Sequence, residues 1–299
     1  MGAGALGSLF GALLQIAGFD VVFVARGKQY EALKKSLKIS GILNTELRVY
    51  ATNKPEDADV TFVTVKAYDT ENAAKSLAEV NPGIVCSLQN GVGNEEILQR
   101  YCRRVLGGVT SYAANLIDYG HVNYAGEGYT YIGELNGKIS RDAKRVVEIL
   151  RDAKIRAEVV DDIVFRIWVK TVVNAAINPI TALCRVRNGE IVRNRYLWNI
   201  AKRVAEEGME VLRKMGFEFD AVEEVKRIAE MTANNKSSML QDVERGKRTE
   251  IEYINGAIVK KGKELGIDCI VNETLMNLIR GVEIACRSSN SIGDADIRD

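Results

Sequence analysis

Six residues near the start of the chain, Gly2-Ala3-Gly4-Ala5-Leu6-Gly7, carry the spacing G-x-G-x-x-G. The residues just after them limit the folds the chain can adopt. Apolar side chains at Leu6, Leu9, Phe10, Leu13, Leu14 and Ala17 recur every three or four positions, which predicts one buried helical face beginning at the turn. Gly18 stands where a helix C-terminus expects glycine. Asp20–Ala25 then reads as a continuously apolar strand, the kind covered on both faces in a parallel sheet. Glycine turn, helix and buried strand together form half of a βαβ unit.

In such a unit each glycine has its own reason. The first permits the tight turn, the second lets the backbone approach a pyrophosphate, and the third allows close helix packing. The helix N-terminus then attracts the phosphates, so Gly2, Ala3, Gly4, Ala5, Leu6 and Gly7 are candidate cofactor contacts. An acidic residue about 20 positions on would hold the ribose 2′-hydroxyl of NAD. Here the strand ends in Ala25-Arg26, with Lys28 beyond and no acid. A guanidinium can take a 2′-phosphate bidentately, so Arg26 predicts NADP(H). A βαβ unit also needs a strand before its turn, and only Met1 stands there. The expectation is a first strand missing from the sequence and a natural chain that begins upstream.

Further buried strands are expected at Val60–Val65, Ile84–Leu88 and near Val105–Tyr112, with helices at Glu71–Ala78 and Glu95–Tyr101 between them. That alternation predicts an α/β fold with a Rossmann-type, doubly wound parallel sheet. A hairpin around Gly120–Glu134, a helix near Arg141–Lys154 and a strand at Ala157–Val160 come next. Beyond Asp161 the pattern is helical almost throughout. The domains are therefore read as 1–161, binding the dinucleotide, and 162–299, all-helical, to which fold analogy assigns substrate contacts and a dimer surface.

The net charge of +1 gives no reason to expect nucleic acid or an anionic membrane as partner. No uninterrupted apolar run approaches the ~20 residues that span a bilayer, and the default address is the cytoplasm. The five cysteines (Cys86, Cys102, Cys184, Cys269 and Cys286) are odd in number and form no C-x-x-C pair, which argues against a disulfide framework or a zinc knuckle. The single histidine, His121, has no motif around it, so chemistry without histidine or metal is expected.

Polar residues at particular places suggest what that chemistry uses. Lys66 in VTVKAYDT and Asn90 in SLQNGVGNEE stand just past strands, at the ends that face the ligand crevice of an open α/β sheet. Lys170, Asn174 and Asn178 lie four apart in FRIWVKTVVNAAINPITAL, one polar stripe on an otherwise apolar helix. Such groups either pair among themselves or line a cleft for a polar ligand. Thr249 and Glu252 match a T-x-x-E capping box, which leaves Glu250 free in the first turn.

The segments GAGALGSLFG, VKAYDT, LQNGVGNEE, KTVVNAAINPITAL and SSMLQDVERGKRTEIEYINGAIV, in this order, resemble the 2-dehydropantoate (ketopantoate) reductase family over residues 2 to about 260. Each motif alone is weak, but the combination is specific. The resemblance implies NADPH-dependent reduction of 2-dehydropantoate to (R)-pantoate, on the route to pantothenate and coenzyme A. It implies that Lys170 is the catalytic lysine that polarises and protonates the ketone, and that Glu250 binds the substrate hydroxyl. Asn90, Asn174, Asn178 and Ser238 match the polar residues around substrate and nicotinamide, with Lys66 and Asn235 in support and Arg26 as the 2′-phosphate arginine. Coenzyme A, the pathway's end product, is a candidate feedback ligand. Cys86, in the strand that ends at Asn90, would offer it a mixed disulfide. A homodimer rests on fold analogy alone. The alternatives are a reductase of another small 2-oxo acid, or a non-catalytic NADP(H) sensor, which would need neither Lys170 nor Glu250.

Overall fold

The computed structural model describes residues Met1–Gly293, with side chains as far as Ala285. Cys286 therefore lies outside the described side chains. Two compact units divide the chain at Ile167/Trp168.

Unit 1 begins with the glycine turn and helix α1 (Ala5–Ile16), followed by β1 (Val22–Val24), α2 (Gly27–Leu33), β2 (Leu37–Gly41), β3 (Thr45–Leu47) and β4 (Tyr50–Thr52). Next come β5 (Val60–Val63), α3 (Thr70–Leu77), β6 (Ile84–Ser87), α4 (Asn94–Gln99) and β7 (Val105–Thr110). The unit continues through β8 (Ala113–Asp118), β9 (His121–Gly126), β10 (Thr130–Gly133), α5 (Arg141–Asp152) and β11 (Ala157–Val159). The main sheet has the order β11-β10-β7-β6-β5, with β5, β6 and β7 parallel and β10 antiparallel to β7. β1 pairs in parallel with β4 as a separate ribbon. Backbone bonds of the first three residues bridge the two. Met1 N donates to Phe62 O, Thr64 N to Met1 O, and Gly2 and Ala3 N to Val24 O.

A second sheet, β3-β2-β9-β8, was not expected from the sequence. Helix α1 packs on β8, β9 and β2 of this sheet and also on β1 of the ribbon. Leu9, Phe10 and Leu14 join Phe23, Leu37, Ile39, Val122 and Tyr124 in one core. Phe10 meets Tyr112 edge-on with ring centroids 5.5 Å apart. The helix also lies so close to β1 that a Cβ on Gly11 would fall 2.4 Å from the Phe23 ring.

The hairpin expected at Gly120–Glu134 is corrected. Its two strands, β9 and β10, belong to different sheets: β9 pairs with β8 and β2, and β10 with β7 and β11. The true hairpin is β8–β9, closed at Tyr119-Gly120, where Gly120 takes a φ of 74°. Between β9 and β10 the chain crosses tightly over Ser111–Tyr112, and a Cβ on Gly128 would fall 2.3 Å from Tyr112 N. His121 opens β9 and shares a 2.9 Å hydrogen bond with the Ser40 hydroxyl, which ties it to the sheet.

Helix α6 (Ile163–Cys184) carries the chain from unit 1 into unit 2. The unit division falls inside it, where the sequence places a domain boundary at 161. Its first turns supply Ile163 and Ile167 to a cluster with Val160, Val109, Tyr131 and Leu135, so that stretch packs as part of unit 1. At 22 residues and a mean hydropathy of 1.3, α6 is long and apolar enough to cross a membrane. Arg166 and Lys170 interrupt it, which is why no unbroken apolar run marks it in the sequence. Its apolar stretch is 72% buried within the protein, as in a core helix. Unit 2 continues with α7 (Glu190–Arg193), α8 (Arg195–Lys214), α9 (Ala221–Met231), α10 (Ser238–Glu244), α11 (Asn255–Leu265) and α12 (Ile270–Gly293).

Candidate functional site

In unit 1 the glycine turn is packed on two sides and open on one. Gly2 sits at φ 97°, and a Cβ there would lie 2.6 Å from Val65 N. A Cβ on Gly7 would lie 2.4 Å from both Gly2 O and Thr64 Oγ1. Gly4 differs: its Cβ would meet nothing nearer than Gly2 O at 4.0 Å. So Gly2 and Gly7 are glycine for packing, while the open side of Gly4 is where a phosphate could approach. The turn runs straight into α1, whose N-terminus has no side-chain cap, a free end of the positive dipole beside that opening. The Ser8 hydroxyl and the Gln29 amide both donate to Ala3 O, and Gln29 Oε1 accepts from Gly120 N. Gln29 thus fastens the turn to the second sheet. Nothing local in the sequence signals that role, because its partners lie far along the chain.

Arg26 stands just past β1 and is exposed, with no side-chain hydrogen bond or ion pair among the described residues. Lys66 follows β5 and opens a short 3-10 turn, Ala67–Asp69. Asn90 follows β6, and its carbonyl accepts from the Asn94 amide. A buried polar network joins these two loops. Gln89 donates to Val65 O at 2.9 Å and to the Thr70 hydroxyl at 2.8 Å, and Thr70 in turn donates to Asn94 Oδ1. The glycine turn, the Lys66 loop and the Asn90 loop are therefore gathered at the carboxyl ends of β1, β5 and β6, where open α/β sheets bind ligands.

Cys86 does not have the environment its expected chemistry needs. It is fully buried in β6, and burial with the neighbouring Glu95 carboxylate pushes its thiol far up. Burial also raises Glu95 to about 7, against a hydrogen bond from Ser87. Disulfide exchange requires an accessible thiolate, so the mixed disulfide with coenzyme A is withdrawn.

In unit 2, Lys170, Asn174 and Asn178 lie along one face of α6, four residues apart. Lys170 is partly buried, and desolvation lowers its ammonium to about 8 while the Glu250 carboxylate opposes the shift. Glu250 is only 4% exposed, so a buried acid stands beside a partly buried base. Asn178 is 5% exposed, yet its side-chain amide, like that of Asn174, makes no hydrogen bond among the described residues. Amides so placed are available to a polar ligand. The Thr181 hydroxyl, one turn on, donates to Ser237 Oγ at 2.8 Å. Ser237 caps α10 by accepting from Leu240 N, which places Ser238 at the helix start beside α6. Asn235 is exposed and takes part through its backbone, its carbonyl accepting from Asn188 N. Ser237, Thr181 and Asn255 (which is bonded to Ala175 O) carry no local signal in the sequence that marks them as part of this region.

The capping box is corrected. Thr249 Oγ1 does accept from Ile251 N at 3.3 Å, but Glu252 turns to Arg280. The carboxylate that reaches Thr249 N is Glu283, from α12, at 2.7 Å. A short 3-10 turn, Ile251–Tyr253, comes next, and the regular helix starts only at Asn255. The purpose of this local geometry is plain in one respect: Glu250 faces inward rather than capping.

Two family models match the chain, "Ketopantoate reductase PanE/ApbA" over residues 1–137 and its C-terminal counterpart over 162–283. The chain is 72% identical over 283 residues to the 2-dehydropantoate 2-reductase of Archaeoglobus fulgidus, covering 95% of this chain and 96% of that one. It is 39% identical to the 2-dehydropantoate 2-reductase of Pyrococcus horikoshii over 289 residues, with the same coverage. Among solved structures it is similar to a PanE/ApbA family ketopantoate reductase from Ralstonia eutropha (TM-score 0.89, 31% identity, 96% and 98% of the two chains). It is also similar to a D-mandelate dehydrogenase solved with NADH and anilino(oxo)acetate (TM-score 0.90, 25% identity, 96% and 98% coverage).

Proposed function

The chain belongs to the ketopantoate reductase family and reduces 2-dehydropantoate to pantoate with a nicotinamide cofactor, and from that premise we propose which cofactor and which residues carry the reaction. The cofactor is NADPH. Its pyrophosphate is held by the Gly2–Gly7 turn and its 2′-phosphate by Arg26, with Lys66 and Asn90 beside it. When bound, it supplies the hydride that the ketone carbon accepts. Lys170 donates a hydrogen bond to the ketone oxygen, stabilises the alkoxide charge as it develops, and passes it a proton. Asn174, Asn178 and Ser238 orient the substrate's carboxylate and ketone, Asn235 supports them, and Glu250 accepts from its hydroxyl. The observation that carries this reading is the inward Lys170–Glu250 pair beside two amides that make no hydrogen bond among the described residues. A sensor would have no use for that pair. On this reading the protein is a cytoplasmic homodimer.

The reading is tested by following NADPH and NADH oxidation with and without 2-dehydropantoate. Arg26→Ala should raise KM for NADPH by about tenfold or more and hardly change that for NADH, because a charge-assisted bond to the 2′-phosphate exists in only one of them. Coenzyme A also carries a phosphate on its adenosine ribose, and we propose that it competes with NADPH at Arg26. Equal losses with both cofactors, or inhibition by coenzyme A that survives Arg26→Ala, would contradict these assignments.

The same chemistry sets a pH dependence. The active form of Lys170 is the ammonium, which persists below its folded value of about 8 and is lost above it. kcat/KM should therefore be level up to about 8 and then fall about tenfold per pH unit. Glu250 holds that value up, so Glu250→Gln should move the falling limb to lower pH. A pH–rate profile that stays level well into the alkaline range, or a limb that Glu250→Gln leaves in place, would remove Lys170 as the proton donor.

A further inference from the structure

Helix α6 holds a proline, Pro179, inside its continuous run from Ile163 to Cys184. Proline has no N–H, so the carbonyl four residues earlier, that of Ala175, loses its helical donor. Ala175 is fully buried, and water cannot replace the missing bond. The donor comes instead from 80 residues away, where Asn255 Nδ2 bonds Ala175 O at 3.2 Å.

Asn255 is itself fully buried and is the first residue of α11, just after the turn that carries Glu250. Its amide also donates to Asn272 Oδ1 at 3.0 Å. Asn272 donates to Glu207 Oε2 at 2.7 Å and to Val204 O, both of which only accept. That fixes Asn272 with its oxygen toward Asn255, and so fixes Asn255 with its NH2 toward Ala175. Asn255 Oδ1 is buried with no partner among the described residues. The side chain is therefore used as a double donor, and its acceptor is left unsatisfied for that purpose.

We infer that Asn255 is a positioning residue. By giving Ala175 O the bond that Pro179 withholds, it holds the Asn174–Asn178 stretch of α6 against the segment bearing Glu250. The spacing of Lys170, Asn174 and Asn178 relative to Glu250 is thereby set by one amide. A placement error of about 1 Å at a reacting group can cost up to ~10²-fold in rate, so loss of this bond reaches the chemistry as well as the stability.

The test is a double-mutant cycle on the full chain, with saturating NADPH: the parent, Asn255→Ala, Pro179→Ala, and both together. Asn255→Ala should lower kcat/KM for 2-dehydropantoate by about tenfold or more, with NADPH affinity unchanged, since unit 1 holds the cofactor. Pro179→Ala returns an N–H to Ala175 O, so in that background removal of Asn255 should cost less than about threefold. No loss on Asn255→Ala, or equal losses in both backgrounds, overturns the inference. If Asn255→Ala does not fold, recovery of folded protein by adding Pro179→Ala supports it, and failure to recover overturns it. The inference rests on the site proposed above. Were that site wrong, Lys170→Ala would keep its turnover, whereas a flat cycle beside an inactive Lys170→Ala removes the role of Asn255 alone.

Discussion

Lys170→Ala is expected to lower kcat by at least ~10²-fold, the scale of losing a positioned acid or an alkoxide stabiliser, and to leave NADPH binding as it was. The reason is timing. Alkoxide charge on the substrate oxygen exists only as hydride arrives, so the ammonium stabilises the transition state far more than the ground state. Glu250 should divide differently, because the substrate hydroxyl proposed as its partner is present before and during the reaction. Glu250→Ala should chiefly raise KM for 2-dehydropantoate and do less harm with an analogue lacking that hydroxyl. The comparison must be made well below pH 8, since removing Glu250 also lowers the range in which Lys170 keeps its proton. Steady-state kinetics with both substrates, together with NADPH titration by fluorescence, measure all four quantities. Near-native turnover in Lys170→Ala would remove the mechanism.

The glycine turn gives the second large effect, and it separates two glycines that look alike in sequence. Gly7→Ala forces a methyl to 2.4 Å from the Gly2 carbonyl and the Thr64 hydroxyl. Backbone cannot yield there, so the turn should open, at a cost of about 1–3 kcal/mol of stability or more, and cofactor binding should fall with it. Gly4→Ala places its methyl in open space, 4.0 Å from the nearest atom. The fold should keep its melting temperature, while KM for NADPH rises about tenfold or more because the methyl occupies the approach to the pyrophosphate. Thermal unfolding of both variants beside NADPH titration distinguishes the cases. A Gly4→Ala protein that binds NADPH normally would move the pyrophosphate away from this turn.

The parts of the fold legible in sequence were those with a long or unbroken apolar signal. Helix α1 and strands β5, β6 and β7 lie where the patterning puts them, since a buried parallel strand and an amphipathic helix each repeat one signal over several residues. Strands β2, β3 and β4 are three to five residues long and half exposed, too short for alternation to stand out. The misplaced hairpin has a related cause. β9 and β10 are separated by a short glycine-bearing link, which reads like a turn whether the chain reverses or passes to another sheet. At the site, Lys170, Asn174 and Asn178 were visible because they interrupt an apolar helix at regular spacing. Asn255 was not, although half of its signal stands in the sequence as Pro179 within a helical run. The other half is a contact 80 residues distant, which no local pattern reports. The T-x-x-E box failed for the same reason, since Glu283 from a distant helix took the place of its local rival.

Gln29 has a consequence for the order in which the molecule is made. Its amide supports the Ala3 carbonyl, but its own oxygen is satisfied by Gly120, 91 residues further on. Strand β2 likewise waits for β9, where Ser40 and His121 lie 81 residues apart. Contacts of such separation form late, because a long loop must be closed before any of them is gained. On the ribosome the glycine motif emerges before residue 120 has been made, and so before its brace exists. A nascent chain halted before residue 120 carries the whole nucleotide fingerprint and lacks the brace that stiffens it. The glycine turn is therefore expected to stiffen late in the birth of this chain, long after its own residues have been joined.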